Sequence, residues 1–255
     1  MSARRGGGCL IALLVAGFAT APATGAGEWR PHMRSAIAYA EGRLGMVRFA
    51  VRDPDELWAW HGTDTVGSAS VLKAMLLVAY LDHPSVRDRP LRRADRALIG
   101  PMIRRSDNDA AGRVLAFVGP RRVYAVARRA KMRRFELDPV IWGLSRIDAV
   151  DQARFFLHID DRVVPRHRPA ALHLLASIVP RQRWGIGRVK LPAGWQLYFK
   201  GGWGSGTGAV DHQVALLRHG ERRVAVAVLT SGSPSHKYAE ETLRGVFTRL
   251  LRDLH

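Results

Sequence analysis

Three residue types that often carry chemistry are almost absent from this chain. Of 255 residues, one is cysteine (Cys9), one is asparagine (Asn108), and lysine occurs only at Lys73, Lys131, Lys190, Lys200 and Lys237. With Cys9 alone, no internal disulfide can form, so the fold must stand on its core. His167 and His173 lack metal-ligand spacing. No H-E-x-x-H run, G-x-S-x-G elbow or phosphate loop is present. Neither a metal nor a cofactor is expected. Acidic residues are also few: 22 against 40 Lys and Arg, a formal charge of +18. Such a balance raises nucleic-acid binding as a possibility. The arginines are nevertheless scattered in pairs (Arg92-Arg93, Arg104-Arg105, Arg121-Arg122, Arg222-Arg223), with no nucleic-acid motif and no aromatic-interleaved strand. The charge fits an anionic cell-wall polymer or membrane surface, or an arginine-rich composition with no partner attached. Nucleic acid is not expected as a partner.

The N-terminus reads as an export leader. Arg4 and Arg5 form a basic start, Cys9 to Phe18 is apolar, and Ala21-Pro22-Ala23 and Thr24-Gly25-Ala26 offer small-residue cleavage sites. Cleavage after Ala26 is favoured. The apolar run is shorter than the ~20 residues that span a bilayer. Cys9 precedes the apolar core, which argues against a lipoprotein anchor. The expected location is secreted or cell-envelope. The hydrophobic fraction of 47% describes a globular chain, expected to be a monomer.

Hydrophobic periodicity predicts the elements. A helical stripe runs from Trp29 to Leu44, and strands at Met46–Val51 and Glu56–Trp60 flank the turn Asp53-Pro54-Asp55. Ser70 to Leu81 is an apolar helix. Short helices with Pro and Gly punctuation follow to about Arg183, Ala170–Ile178 among them. Strands are predicted at Trp195–Lys200, Val210–Arg218 and Arg223–Thr230, and an amphipathic helix over Tyr238–Leu254. The expected fold is α/β in the α+β sense: a five-stranded, mainly antiparallel sheet flanked by terminal helices, with an inserted all-helical lobe. The expected division is a signal peptide at 1–26, an α/β lobe at 27–62 and 185–255, and a helical lobe at 63–184.

Against this sparse background three short motifs stand out: Ser70-Val71-Leu72-Lys73, Ser106-Asp107-Asn108 and Lys200-Gly201-Gly202. A Ser-x-x-Lys spacing arises roughly once by chance in a chain of this size, and a Ser-Asp-Asn triplet ~0.03 times. Here the only asparagine and two of five lysines fall within the motifs. Arginine cannot give up its proton in a protein and a desolvated lysine can. Lys73 is the only charge in the apolar run that follows Ser70, three residues on and so on the same helical face. Burial would lower its pKa.

In chain order these motifs resemble the S-x-x-K, S-D-N and K-T-G elements of the class A β-lactamases and the penicillin-binding D,D-peptidases. The resemblance spans essentially the chain after the leader and implies the same β-lactamase/transpeptidase-like fold. It implies Ser70 as nucleophile, Lys73 as its base and Ser106 as a proton shuttle. Asn108 is implied as a donor to the substrate amide and to Lys73, Asp107 as a structural carboxylate, and Lys200 as a charge facing shuttle and substrate. Gly202 lets substrate approach the strand, and the backbone N–H of Trp203 would join that of Ser70 in an oxyanion hole. Two departures stand out. The usual Thr of K-T-G is Gly201, with Ser205 or Thr207 as candidate replacements for its hydroxyl. The E-x-x-L-N motif, whose Glu activates the deacylating water, cannot occur, because Asn108 lies elsewhere. Glu136, Asp138, Asp148 and Asp151 fall in the right stretch but lack its setting; Glu136 is the best placed. The pair Asp211-His212 lies where it could edge the site, though a plain strand-end pair is the simpler reading. The implied function is a serine hydrolase acting on a β-lactam or a peptidoglycan-derived acyl compound. The alternatives are a D,D-carboxypeptidase-like peptidase and a non-catalytic penicillin- or cell-wall-binding protein.

Overall fold

The computed structural model describes Met1, residues 29–206 and residues 208–255. The expected leader, apart from Met1, and Thr207 lie outside the described residues. Helix α1 (Met33–Glu41) leads into a hairpin, β1 (Met46–Arg52) and β2 (Leu57–Trp60). A short strand β3 (Val66–Gly67) precedes the helical block: α2 (Leu72–Leu81), α3 (Pro84–Arg87), α4 (Arg93–Arg104) and α5 (Asn108–Arg129). Strand β4 (Arg146–Ile147) pairs with β3 and is followed by α6 (Ala149–Leu157) and α7 (Arg168–Ala176). Strands β5 (Gln196–Gly204), β6 (Val210–His219) and β7 (Arg222–Ser231) and helix α8 (His236–Leu250) complete the chain.

The main sheet has five strands in the order β2-β1-β7-β6-β5, antiparallel at every pairing. Residues Val210–Leu217 of β6 and Val224–Thr230 of β7 are buried without alternation, so both sheet faces are covered. Helix α8, backed by α1, packs on β6 and β7; α6 packs on β1, β2, β6 and β7. This is the five-stranded α/β architecture that the periodicity predicts. Strands β6 and β7 join through Gly220-Glu221, since His219 pairs with Arg222, and Gly220 takes a φ of 58° that glycine accommodates in a two-residue hairpin loop.

Several predicted bounds shift, for visible reasons. The first helix starts at Met33 rather than Trp29 because Pro31 lies ahead of it; Trp29 instead sends its indole N–H to the Arg252 carbonyl at 3.0 Å. The last helix stops at Leu250, and Leu254 is buried from the turn beyond it. The largest shift is in β5. Lys200 does not close this strand: pairing continues through Gly201↔Gln213, Gly202↔His212 and Trp203↔Asp211 to Gly204. The double glycine costs propensity, but the ladder with β6 carries the strand through it.

Every residue of α2 is buried, Lys73 included, which makes it the central helix of the block, packed on α4 and α5. Asp95 of α4 ties the block together. It accepts the Tyr80 hydroxyl at 2.7 Å, two Arg89 N–H groups at 2.6 and 3.0 Å and the Arg92 amide at 2.5 Å. Arg89, foremost among these partners, holds the carboxyl below the usual carboxylate range. Asp95→Ala is expected to lower stability by about 2–3 kcal/mol at neutral pH, read from urea denaturation. A depressed carboxyl stabilises the fold above its unfolded pKa and loses that contribution as pH falls. The gap between wild type and variant should therefore narrow below about pH 4; a gap that is absent at neutral pH, or constant with pH, would show that this network does not hold α2 and α4 together.

Candidate active site

The nucleophile candidate sits in a strained turn. Ser68 closes β3 by donating its amide to the Ser145 carbonyl at 2.7 Å, and Ala69 takes a φ of 42°, unusual for a residue with a side chain. A 3-10 turn over Ala69–Val71 carries Ser70 into α2, so the α-helix begins at Leu72, two residues later than predicted. Ser68 makes no side-chain cap; its hydroxyl goes to the Ala69 and Trp142 carbonyls. Lys73, in the first turn of α2, points back along the helix, as long helical side chains do. Its amine lies 2.8 Å from Ser70 Oγ.

The second motif meets Lys73 from the start of α5. Ser106 adopts a φ of 60°, and this left-handed turn brings both its oxygens to the Lys73 amine: the carbonyl at 2.6 Å and the hydroxyl at 3.3 Å. Asp107 caps α5 by accepting the Ala110 amide at 2.8 Å, the expected structural role. Asn108 Oδ1 accepts from Lys73 at 2.7 Å. This reverses the expected donor role toward Lys73: the amide oxygen of Asn108, not its NH2, faces the amine. The Asn108 NH2 is thereby turned away from Lys73.

The third motif comes from β5, an edge strand paired only with β6. Side chains alternate along a strand, so Lys200 and Gly202 face one way, Gly201 and Trp203 the other. Lys200 is buried and donates to Ser106 Oγ at 3.0 Å and to the Gly201 carbonyl at 2.5 Å. A Cβ on Gly202 would stand 2.5 Å from the Ser70 amide nitrogen and 2.8 Å from that of Val71. Only glycine lets this strand meet the nucleophile's turn. On the other side, a Cβ on Gly201 would stand 3.1 and 3.2 Å from ring carbons of Trp184. A side chain there would press on the indole, which would have to give by a few tenths of an ångström. Trp184 and its neighbours are fixed by Gln213, which donates to the Trp184 carbonyl at 2.8 Å and accepts the Ile186 amide at 2.7 Å. Trp203 is half exposed and stacks on His236, whose ring lies between Asp211 at 2.5 Å and Glu240 at 3.2 Å. Ser205 lines a cavity of about 160 Å³ beside Trp203.

Ser70, Lys73, Ser106, Asn108 and Lys200 thus form one hydrogen-bonded cluster, with the backbone of Gly202 against Ser70. A scan of family sequence patterns matches residues 90–253 to the Beta-lactamase enzyme family. The chain belongs to this family. The matched span contains the second and third motifs and begins after Ser70 and Lys73. Among curated proteins no sequence matches. Solved structures that share the fold include a β-lactamase from Sphaerobacter thermophilus, with a TM-score of 0.74 and 22% identity over 86% of this chain and 95% of that one. An ancestral class A β-lactamase aligns with a TM-score of 0.71 and 19% identity over 86% and 98%. A class A enzyme of the last common ancestor of Gram-negative bacteria aligns at 0.70 and 20% over 85% and 98%.

In this β-lactamase family member three of the four acidic candidates, Asp138, Asp148 and Asp151, bind backbone amides outside the Ser70 cluster. Glu136 is exposed, and its backbone bridges to Arg146. Asp138 accepts the Val140 and Ile141 amides. Asp148 caps α6 through the Asp151 amide at 2.7 Å. Asp151 accepts the Arg133 and Arg134 amides and pairs with Arg154. His212 pairs along the backbone with Gly202, but its side chain is tied into the sheet: it is buried, accepts the Thr230 amide on Nδ1 and meets the Gly67 carbonyl through Nε2, and burial pushes its pKa down to about 4. Among the described residues no group of three His, Cys, Asp or Glu side chains is placed to hold a metal ion. Three contributors had no sequence signal: Trp184, His236 and Trp142, whose ring centroid lies 4.9 Å from the Lys73 amine. Each reaches the site from an irregular segment or helix start far along the chain.

Burial brings the Lys73 amine down to about 7, partly offset by Asp107. Lys200 is lowered well below the ordinary lysine value, first by burial and then by Lys73. Two amines that share the Ser106 hydroxyl oppose each other's charge. Lys73 can therefore lose a proton near neutrality, and its contact with Ser70 can then run the other way, with the serine hydroxyl donating. The packing at Gly202 gives a direct check. Gly202→Ala should lower stability by about 1–3 kcal/mol, the usual cost of overpacking, in chemical denaturation. An unchanged midpoint would mean that β5 and the Ser70 turn do not meet this closely.

Proposed function

We propose that this protein is an exported serine hydrolase that forms an acyl-enzyme through Ser70 on β-lactams or related cell-wall acyl compounds. The observation that carries the reading is the Lys73 amine, fully buried and 2.8 Å from Ser70 Oγ. Neutral Lys73 takes the Ser70 proton as Oγ attacks the substrate carbonyl carbon. The developing oxyanion faces the Ser70 and Trp203 amides, the pair implied by the family resemblance. The proton passes through the Ser106 hydroxyl to the leaving nitrogen, the C–N bond breaks and an ester to Ser70 remains. Lys200, bonded to that hydroxyl, supplies positive charge beside it. Export rests on the leader, and the charge of +18 suits an anionic envelope.

Hydrolysis of the ester needs a base for water. With Asp138, Asp148 and Asp151 bound to backbone amides and Glu136 exposed outside the hydrogen-bonded cluster, the adduct is expected to be long-lived, since general-base help of about 10²–10⁴-fold is missing. A D,D-carboxypeptidase-like peptidase is the second reading. It is favoured by this absence and by glycine at 201, which lacks the family's hydroxyl and has the Trp184 ring close beside it. The test is acylation by a fluorescent penicillin followed by intact-protein mass spectrometry over time. A stable adduct that disappears in Ser70→Ala supports the proposal, and its rate should rise about tenfold per pH unit below pH 7 and level off above, as Lys73 loses its proton. Rapid turnover that depends on Glu136 would make the protein a β-lactamase with a relocated base. The absence of any adduct would remove β-lactams as substrates.

A further inference from the structure

Nothing in the motifs explains why Lys73 stays dry. Its amine is ringed by oxygens from Ser70, Ser106 and Asn108, groups that line a substrate cleft and are themselves partly open. Yet Lys73 has no exposed surface. The indole of Trp142 lies over the amine, 4.9 Å from Nζ to the ring centroid. This ring is held by the nucleophile's own turn. The Trp142 carbonyl accepts the Ser68 hydroxyl at 3.3 Å and the Ser145 amide at 3.2 Å, and the Ser68 amide donates to the Ser145 carbonyl at 2.7 Å. The Ser145 hydroxyl in turn accepts the Asp138 amide at 3.0 Å, which closes the segment on itself. The segment that carries Trp142 is thus pinned two residues before Ser70, and it brings an aromatic ring to the amine rather than a carboxylate.

We propose that Trp142 is a positioning residue for this reaction: its ring seals the Lys73 amine from water and keeps it directed at Ser70. The inference rests on the reading that Lys73 activates Ser70. The charged groups that face Lys73 are Asp107 at the start of α5, which favours the ammonium, and Lys200 from β5, which opposes it. The nearest acid of the Trp142 segment, Asp138, is turned to its own backbone. An indole face by itself attracts a cation. Burial is nevertheless the foremost cause of the lowered lysine. Opening the seal therefore lets water solvate the ammonium, and the neutral amine becomes scarcer at a given pH.

The sparse lysines make this measurable without activity. With five lysines in the chain, protein labelled with 13C at lysine Cε gives few signals, and Lys73 is assigned by its loss in Lys73→Ala. In the wild type this signal should titrate near pH 7. In Trp142→Ala it should move up by one unit or more, and the pH limb of Ser70 acylation should move with it, so that acylation at pH 6 falls about tenfold per unit and recovers at high pH. Trp142→Phe and Trp142→Leu, which keep an apolar cover, should titrate like the wild type. If Trp142→Ala does not fold, Trp142→Gln, bulky but polar, carries the same expectation. A Trp142→Ala protein with an unchanged Lys73 titration, or one that merely melts earlier, overturns the inference. If Lys73→Ala acylates at the wild-type rate, the reading of Lys73 as base fails instead, and the NMR titration still decides whether Trp142 seals the amine.

Discussion

The site depends on one backbone-to-backbone approach, that of β5 on the turn bearing Ser70. At Gly202 the strand comes so near that a methyl group would meet the Ser70 and Val71 amides. This contact fixes the distance between sheet and helical block. Because side chains alternate, it also fixes which side chains enter the cleft: Lys200, two residues back, arrives on the same face and reaches Ser106. The left-handed Ser106 is the matching adjustment from the helical side. The strain at Ala69 and Ser106 is a local cost that the surrounding packing holds in place.

The second demand is electrostatic. Two lysines are buried within reach of one hydroxyl, in a protein already rich in positive charge. Among the described residues neither amine is paired with a carboxylate; Asp107 spends its oxygen on the cap of α5. The cluster is held by neutral oxygens, which satisfy the donors without stabilising the charge as an acid would. The fold thus keeps an amine ready to release its proton inside an otherwise apolar helix.

Much of this was legible in the chain. The five strands follow from runs and alternation of apolar residues, and the motif residues stand out because asparagine and lysine are so rare. What misled the reading has physical causes. Lys200 reads as a strand end because glycine breaks most strands, while pairing with β6 carries this one four residues further, to Gly204. The resemblance casts Asn108 as a donor to Lys73, while in the packed site its amide oxygen faces the amine. Trp142, Trp184 and His236 were invisible because their contacts join segments far apart in sequence that show no periodicity.

Gly201 and Trp184 are also coupled by contact. A side chain at 201 would press on the indole, which would have to give by a few tenths of an ångström, and Gln213 holds the backbone of the indole's segment in place. Restoring the family's hydroxyl at 201 is therefore a two-position problem: how far residue 184 can yield decides whether a threonine fits.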